Sequence, residues 1–159
     1  MFSNNLKKKV IEEIVLNSSN KLDDTSIIND AFKKFRVKNK DLKRACNYFF
    51  PNGLEDIIME YCLNNNLQLR KEIDNNEIKK MKIRDQIFFL VIKRLSLNSK
   101  EISNNLFKYL ISKKKIFLMN RILFSIADEI WYLAGDKSLD YNYYTKRFLL
   151  IKIYSLTFS

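Results

Sequence analysis

The sequence predicts an all-α protein, and three observations carry that prediction. Its 159 residues include two glycines and one proline, which leaves few places for the tight turns that paired strands need. Apolar residues make up 47% of the chain and aromatics 13%, too many for a disordered polypeptide. That is enough for one domain core, over 1–159, without disulfides or metal. The apolar residues recur in steps of three and four, the period of a helix buried on one face.

Leu6, Val10, Ile11, Ile14 and Val15 define a first amphipathic helix. Asn17 to Asp24 is a polar break, after which Asp24 or Thr25 supplies a cap of the residue type that opens helices. Ile28, Ala31, Phe32 and Phe35 form the inner face of the second helix, and Leu42, Ala45, Cys46 and Phe49 that of a third. Phe50-Pro51-Asn52-Gly53 turns the chain into a fourth helix with Leu54, Ile57, Ile58 and Tyr61 inside. The Asn-rich stretch from Asn64 to Asn76, linker or partly helical, is the expected boundary between subdomains 1–63 and 77–159. Beyond it Ile83, Ile87, Phe88, Val91, Ile92 and Leu95 make a helix apolar most of the way round, the pattern of one covered on several sides. Ile102, Leu106, Tyr109 and Leu110 mark another. Ile116, Met119, Leu123, Ile126, Ile130 and Leu133 mark the next, with Phe117, Phe124 and Trp131 as a second stripe and Gly135 as its stop. Ser138 or Asp140 caps a last helix running towards Phe158, in which Lys152 is the one charge after Arg147.

The net charge of +11 suggests nucleic acid or an anionic membrane as partner. Yet the lysines are spread along a chain rich in Lys, Asn and Ile, as an AT-rich coding sequence would make it, which weakens that reading. With no histidine, the commonest general base and zinc ligand are missing. Cys46 and Cys62 lack metal-binding spacing and are expected as buried, reduced thiols. Reduced thiols, and an amino-terminal Lys7-Lys8-Lys9 interrupted by Glu12 and Glu13, point to a cytoplasmic protein without a signal peptide. The apolar runs are far shorter than the ~20 residues that span a bilayer. No catalytic residues, metal or cofactor are expected.

The densest polar and aromatic patch is Asp128 to Arg147, which holds the single Trp. Trp, Tyr and Arg join a large contact area to a polar tip, the properties of protein-contact anchors. From Ile130 to Arg147 it resembles the signature Ile-Trp-Tyr-x-Ala-Gly-Asp-x-Ser-x-Asp-x-Asn-x-Tyr-Thr-Lys-Arg of the ubiquinone-biosynthesis accessory family, the ninth of the coenzyme Q series. Phe50, Pro51, Gly53 and Asp56 match a second family pattern near the middle.

The resemblance implies a fold like that of TetR regulators, with a helix-turn-helix-like subdomain followed by a helical lipid-binding one. It implies a non-enzymatic protein that holds an isoprenoid or quinone-intermediate lipid and presents it to a demethoxyubiquinone-type ring hydroxylase. Carried over, the hydroxylase-contact residues are Asp128, Trp131, Tyr132, Asp136, Asp140, Asn142, Tyr144 and Arg147. The candidate cavity walls are Ile83, Ile87, Phe88, Val91, Leu95, Met119, Leu123, Ile126 and Ile130. Members of the family it resembles continue past the last helix seen here, so its apolar surface is expected to meet a second copy, to lie peripherally on the inner membrane, or to mark a shortened, decayed member of the family.

The alternative is a TetR-type DNA-binding regulator. Lys33, Lys34, Arg36, Lys38, Lys40, Lys43 and Arg44 cluster where a helix-turn-helix would sit, and Tyr48-Phe49-Phe50-Pro51 resembles the end of a regulator's recognition helix. Against it, Arg36-Val37-Lys38-Asn39 replaces the tight Gly-Val-Ser turn, and the stretch to Pro51 is a few residues too long. Nucleic acid is therefore not the expected partner.

Overall fold

The computed structural model describes residues 3–17 and 26–157, and all regular structure within them is helical. The candidate caps Asp24 and Thr25, and the end of the last helix at Phe158, lie outside the described residues. The helices are α1 (Asn4–Asn17), α2 (Ser26–Lys34), α3 (Asn39–Phe49), α4 (Leu54–Glu72), α5 (Asn75–Ile78), α6 (Ile83–Ser96), α7 (Lys100–Ser112), α8 (Ile116–Leu133) and α9 (Tyr141–Leu156). The chain divides into two compact units, 1–61 and 62–159, with the division falling inside α4.

The first unit buries one face of each of its helices: Val10, Ile11, Ile14 and Val15 of α1, Ile28, Ala31 and Phe32 of α2, and Leu42, Ala45 and Phe49 of α3. Phe32 sits 6.3 Å from Phe49 and 6.2 Å from Phe50, centroid to centroid, so an aromatic cluster closes this core. At the end of α2 the Arg36 amide donates to Lys33 O and the Val37 amide to Phe32 O, a Schellman closure. It places Arg36 at φ +62°, a conformation that a side chain makes costly. The residue that departs from the regulator turn is thus also the strained one.

In the second unit the Asn-rich stretch is helical up to Glu72. Asn65 and Asn66 are buried, in step with buried Cys62, Leu69 and Ile73. They occupy inner positions of the helical period, which hid that period from a reading based on apolar residues. Their amides are satisfied inside: Asn65 donates to Asn98 Oδ1 at 2.7 Å, and Asn66 to Ser125 O and Oγ at 3.2 Å each.

Two expectations fail here. The long apolar helix is not covered on several sides: Leu90 and Val91 of α6 are buried, but Ile83, Phe89 and Ile92 are exposed and Phe88 is 69% exposed. The second stripe of α8 also breaks up, because Phe117 is 92% exposed. Phe124 instead packs against Tyr143, 6.4 Å between centroids. On the main stripe Leu123, Ile126, Ile130 and Leu133 are buried, whereas Ile116 is exposed. Cys62 is buried as expected, and burial, opposed by Arg94, pushes its thiol up to about 11. Cys46 is only half-buried, its Sγ donating to Asn29 Oδ1 at 3.4 Å.

Candidate functional site

The site is the corner between α8 and α9, and local sequence builds both of its sides. The Gly135 amide donates to Tyr132 O at 3.0 Å and the Asp136 amide to Trp131 O at 2.9 Å, the paired bonds of a Schellman motif. Gly135, at φ +79°, supplies the left-handed residue this motif needs. At the other side Asp140 Oδ1 accepts from the Asn142 amide at 3.0 Å and caps α9. Of the two caps offered by the sequence, Asp140 is the one used.

The helix stop places Asp136 just past α8 with its side chain only 4% exposed. Lys146 Nζ donates to Oδ1 at 2.7 Å, Ser138 Oγ to the same oxygen at 2.7 Å, and Arg147 Nη1 to Oδ2 at 3.0 Å. Burial alone would raise the Asp136 pKa, but these donors outweigh it and hold the carboxyl well below the usual carboxylate range. Arg147 is 3% exposed and reaches further, donating from Nε to Asp128 Oδ1 at 2.7 Å and from Nη1 to Tyr143 O at 3.0 Å. Its guanidinium lies 3.4 Å from the centroid of the Tyr143 ring. The Tyr143 hydroxyl donates to Asp128 Oδ1 at 2.8 Å, and this bond, aided by burial, raises its pKa. Asp128, Asp136, Lys146 and Arg147 thus form a charge-balanced network that fastens α9 to α8.

The sequence-derived contact residues separate into two groups. Asp136 and Arg147 are internal to the network, so the accessible role expected of them is corrected: each is covered because it neutralises the other. Trp131 is half-buried, its Nε1 donating to Lys146 O at 3.1 Å and its ring lying 5.3 Å from Lys146 Nζ. Asp128 keeps a half-exposed side chain beside Arg147. Tyr132 is 61% exposed, Tyr144 is exposed, and Asp140 and Asn142 lie at the exposed start of α9. Tyr132 lies under Arg70, 5.0 Å from ring centroid to guanidinium, while Arg70 holds Glu129 bidentately at 2.8 and 2.7 Å. Tyr143, Arg70 and Glu129 were not singled out from the sequence, whereas Ser138 and Lys146 are fixed positions of the family signature and Ser138 was also a candidate cap. For Tyr143 the spacing to Arg147, one helical turn, offered a signal.

The candidate cavity residues also separate. Val91, Leu123, Ile126 and Ile130 are buried, and Ile87, Leu95 and Met119 are half-buried. Ile83 and Phe88 lie on the exposed face of α6 and drop out as interior wall residues. Among the described residues no group of His, Cys, Asp and Glu is arranged to hold a metal, and no helix is long and apolar enough to cross a membrane.

Residues 118–159, which include this corner, match the family model described as COQ9. Over this segment the chain is similar to the COQ9 family. It is 44% identical over 46 residues to the probable ubiquinone biosynthesis protein coq9, mitochondrial, of Dictyostelium discoideum, covering 29% of this chain and 15% of that protein. To the ubiquinone biosynthesis protein COQ9, mitochondrial, of Homo sapiens it is 47% identical over 36 residues, 23% of this chain and 11% of the relative. A longer match, 26% identical over 130 residues, covers 76% of this chain and 41% of the COQ9-A protein, mitochondrial, of Xenopus laevis. The chain therefore spans less than half the length of these COQ9 relatives. No solved structure gives a significant match.

These names overturn the cytoplasmic placement expected from the sequence, because the COQ9 relatives are mitochondrial. Free thiols mark a reducing compartment without saying which one, so Cys46 and Cys62 could not have decided the matter.

Proposed function

We propose that this chain is a non-enzymatic accessory protein of ubiquinone biosynthesis in the mitochondrion, which binds an isoprenoid or quinone-intermediate lipid and presents it to a demethoxyubiquinone-type hydroxylase. One observation carries the reading: the segment matched to COQ9 is the braced α8–α9 corner, which keeps Tyr132 and Tyr144 exposed while its charges are satisfied within. Exposed aromatics on a rigid support suit a protein contact, since little freedom remains to be lost on docking.

In this reading the first unit is the TetR-like helix-turn-helix remnant and the second is the lipid-binding body. Drawing a polyprenyl tail from a bilayer costs on the order of 0.8 kcal/mol per methylene. Apolar side chains such as Val91, Leu123, Ile126 and Ile130 offset that cost by covering the tail. Peripheral contact with the inner membrane fits the exposed Phe148, Leu149, Ile153 and Leu156 of α9, and a homodimer through the same face remains part of the proposal.

The test is hydroxylase binding by single variants. Tyr132→Ala and Tyr144→Ala are expected to weaken binding of a demethoxyubiquinone-type hydroxylase by about tenfold or more each, with the melting temperature unchanged. Wild-type binding by both variants would remove the corner as the contact surface.

A second reading, the DNA-binding regulator, is favoured by one feature: Lys33, Lys34, Arg36, Lys38, Lys40, Lys43 and Arg44 are all exposed. It requires tight duplex binding that falls steeply with salt.

A further inference from the structure

Arg94 is the largest fully buried side chain among the described residues, at 0% exposure. Its Nε donates to Asn66 Oδ1 at 2.8 Å and its Nη2 to Cys62 O at 3.3 Å, both neutral acceptors. Nη1 has no acceptor among the described residues, and none of them brings a carboxylate to the guanidinium. Arg147 shows what this chain does with a buried guanidinium whose role is structural: it supplies two aspartates. Arg94 receives none.

The acidic groups nearest to it do not substitute. Burial pushes the Cys62 thiol up to about 11 and also raises the Tyr154 phenol, although Arg94 opposes both shifts. Both groups therefore stay protonated and neutral. A buried charge without a counter-charge is strongly unfavourable, and guanidinium does not lose its proton to escape that penalty.

The surroundings are organised around this group. Asn66 donates to Ser125 O and Oγ, which turns its own carbonyl oxygen towards Arg94. Cys62 and Asn66 come from α4, Arg94 from α6, Ser125 from α8 and Tyr154 from α9. One turn from these polar groups the same helices bury Leu69, Leu90, Ile122 and Leu150. The result is one polar point, charged and short of an acceptor, inside an apolar helical body.

We infer that Arg94 is the receptor for an oxyanion head group, a carboxylate or phosphate, on an otherwise apolar ligand of the second unit. The inference rests on the lipid-binding reading and adds the head-group chemistry to it. Arg94 supplies the charge-assisted hydrogen bond, Asn66 fixes the orientation of its fork, and the flanking apolar residues cover the tail.

The experiment compares oleate with oleyl alcohol, equal in chain length and different in head charge, by native mass spectrometry and thermal shift on the full chain. Acetate and inorganic phosphate serve as the free-anion arm. Wild type is expected to bind oleate about tenfold or more tighter than the alcohol, as a charge-assisted bond would provide. Arg94→Met is expected to lose that preference while keeping its affinity for the alcohol. Stabilisation of wild type, but not of Arg94→Met, by acetate or phosphate alone would also support the site, with a free anion as its occupant. Equal binding of oleate and alcohol by wild type, or a preference that survives Arg94→Met, overturns the head-group inference and leaves lipid binding standing. Binding of none of the four probes removes both. Should Arg94→Met not fold, Arg94→Lys keeps the charge without the fork, and an undiminished preference in it counts against the proposal.

Discussion

Replacing Arg147 by alanine is expected to remove about 3–5 kcal/mol of folding stability, the usual consequence of stripping one partner from a buried ion pair. The reason is geometric. Arg147 faces two carboxylates, with Asp128 Oδ1 at 2.7 Å and Asp136 Oδ2 at 3.0 Å, and its own side chain is 3% exposed. Truncation leaves Asp136 covered, with only the Lys146 ammonium and Ser138 to answer its charge. The stacked Tyr143 ring loses its cation as well. Lysine does not restore the arrangement, since one ammonium cannot bond two carboxylates and a backbone carbonyl along separate directions as the planar fork does. Urea unfolding measures the loss as a lower midpoint at unchanged m. The control is Arg70→Ala, which breaks a more exposed pair with Glu129 and should cost no more than about 1 kcal/mol. A loss as small as that for Arg147→Ala would mean that apolar packing, and not the network, fastens α9 to α8.

Acid should open the same corner. Asp136 is held below its ordinary value in the folded chain, where Lys146, Ser138 and Arg147 outweigh the opposing effect of burial. The unfolded carboxyl titrates near ~3.9, so above that value both states are ionised and the stabilisation is complete. As pH falls below it, the unfolded chain takes up the proton first, and the stabilisation is lost progressively towards the folded-state pKa. The urea midpoint should therefore show little contribution from this group between pH 7 and about 5, and a loss below about 4. Asp136→Asn should be less stable than wild type at neutral pH, with the gap narrowing as the pH falls. A gap as wide at pH 3 as at pH 7 would show that the carboxylate's charge is not what the corner uses.

The parts of the fold legible in the sequence are those set by local chemistry. Gly135 stops α8 and Asp140 starts α9 because a left-handed residue and a side-chain acceptor act within one turn. The inner faces of α1 to α3 follow from apolar spacing for the same reason. Asn65 and Asn66 broke that rule by taking buried positions with polar side chains, so the middle of α4 read as a boundary. Apolar type does not by itself say which residues find cover, and Phe88 and Phe117 lie outside although their spacing placed them inside. The corner residues were found through the family signature, which does not separate the network pair Asp136 and Arg147 from the exposed Tyr132 and Tyr144. Arg94 gave no sequence signal at all, since a lysine- and arginine-rich chain offers many basic residues at helix ends.

The most direct test of the proposed lipid carrier is native mass spectrometry of the protein purified gently from cells that make ubiquinone, followed by organic extraction of whatever is bound. A carrier leaves the column with a stoichiometric lipid, and extraction yields an isoprenoid or a quinone-pathway intermediate. A protein of bare polypeptide mass that stays bare after incubation with such intermediates would contradict lipid binding, and with it the function proposed for this chain.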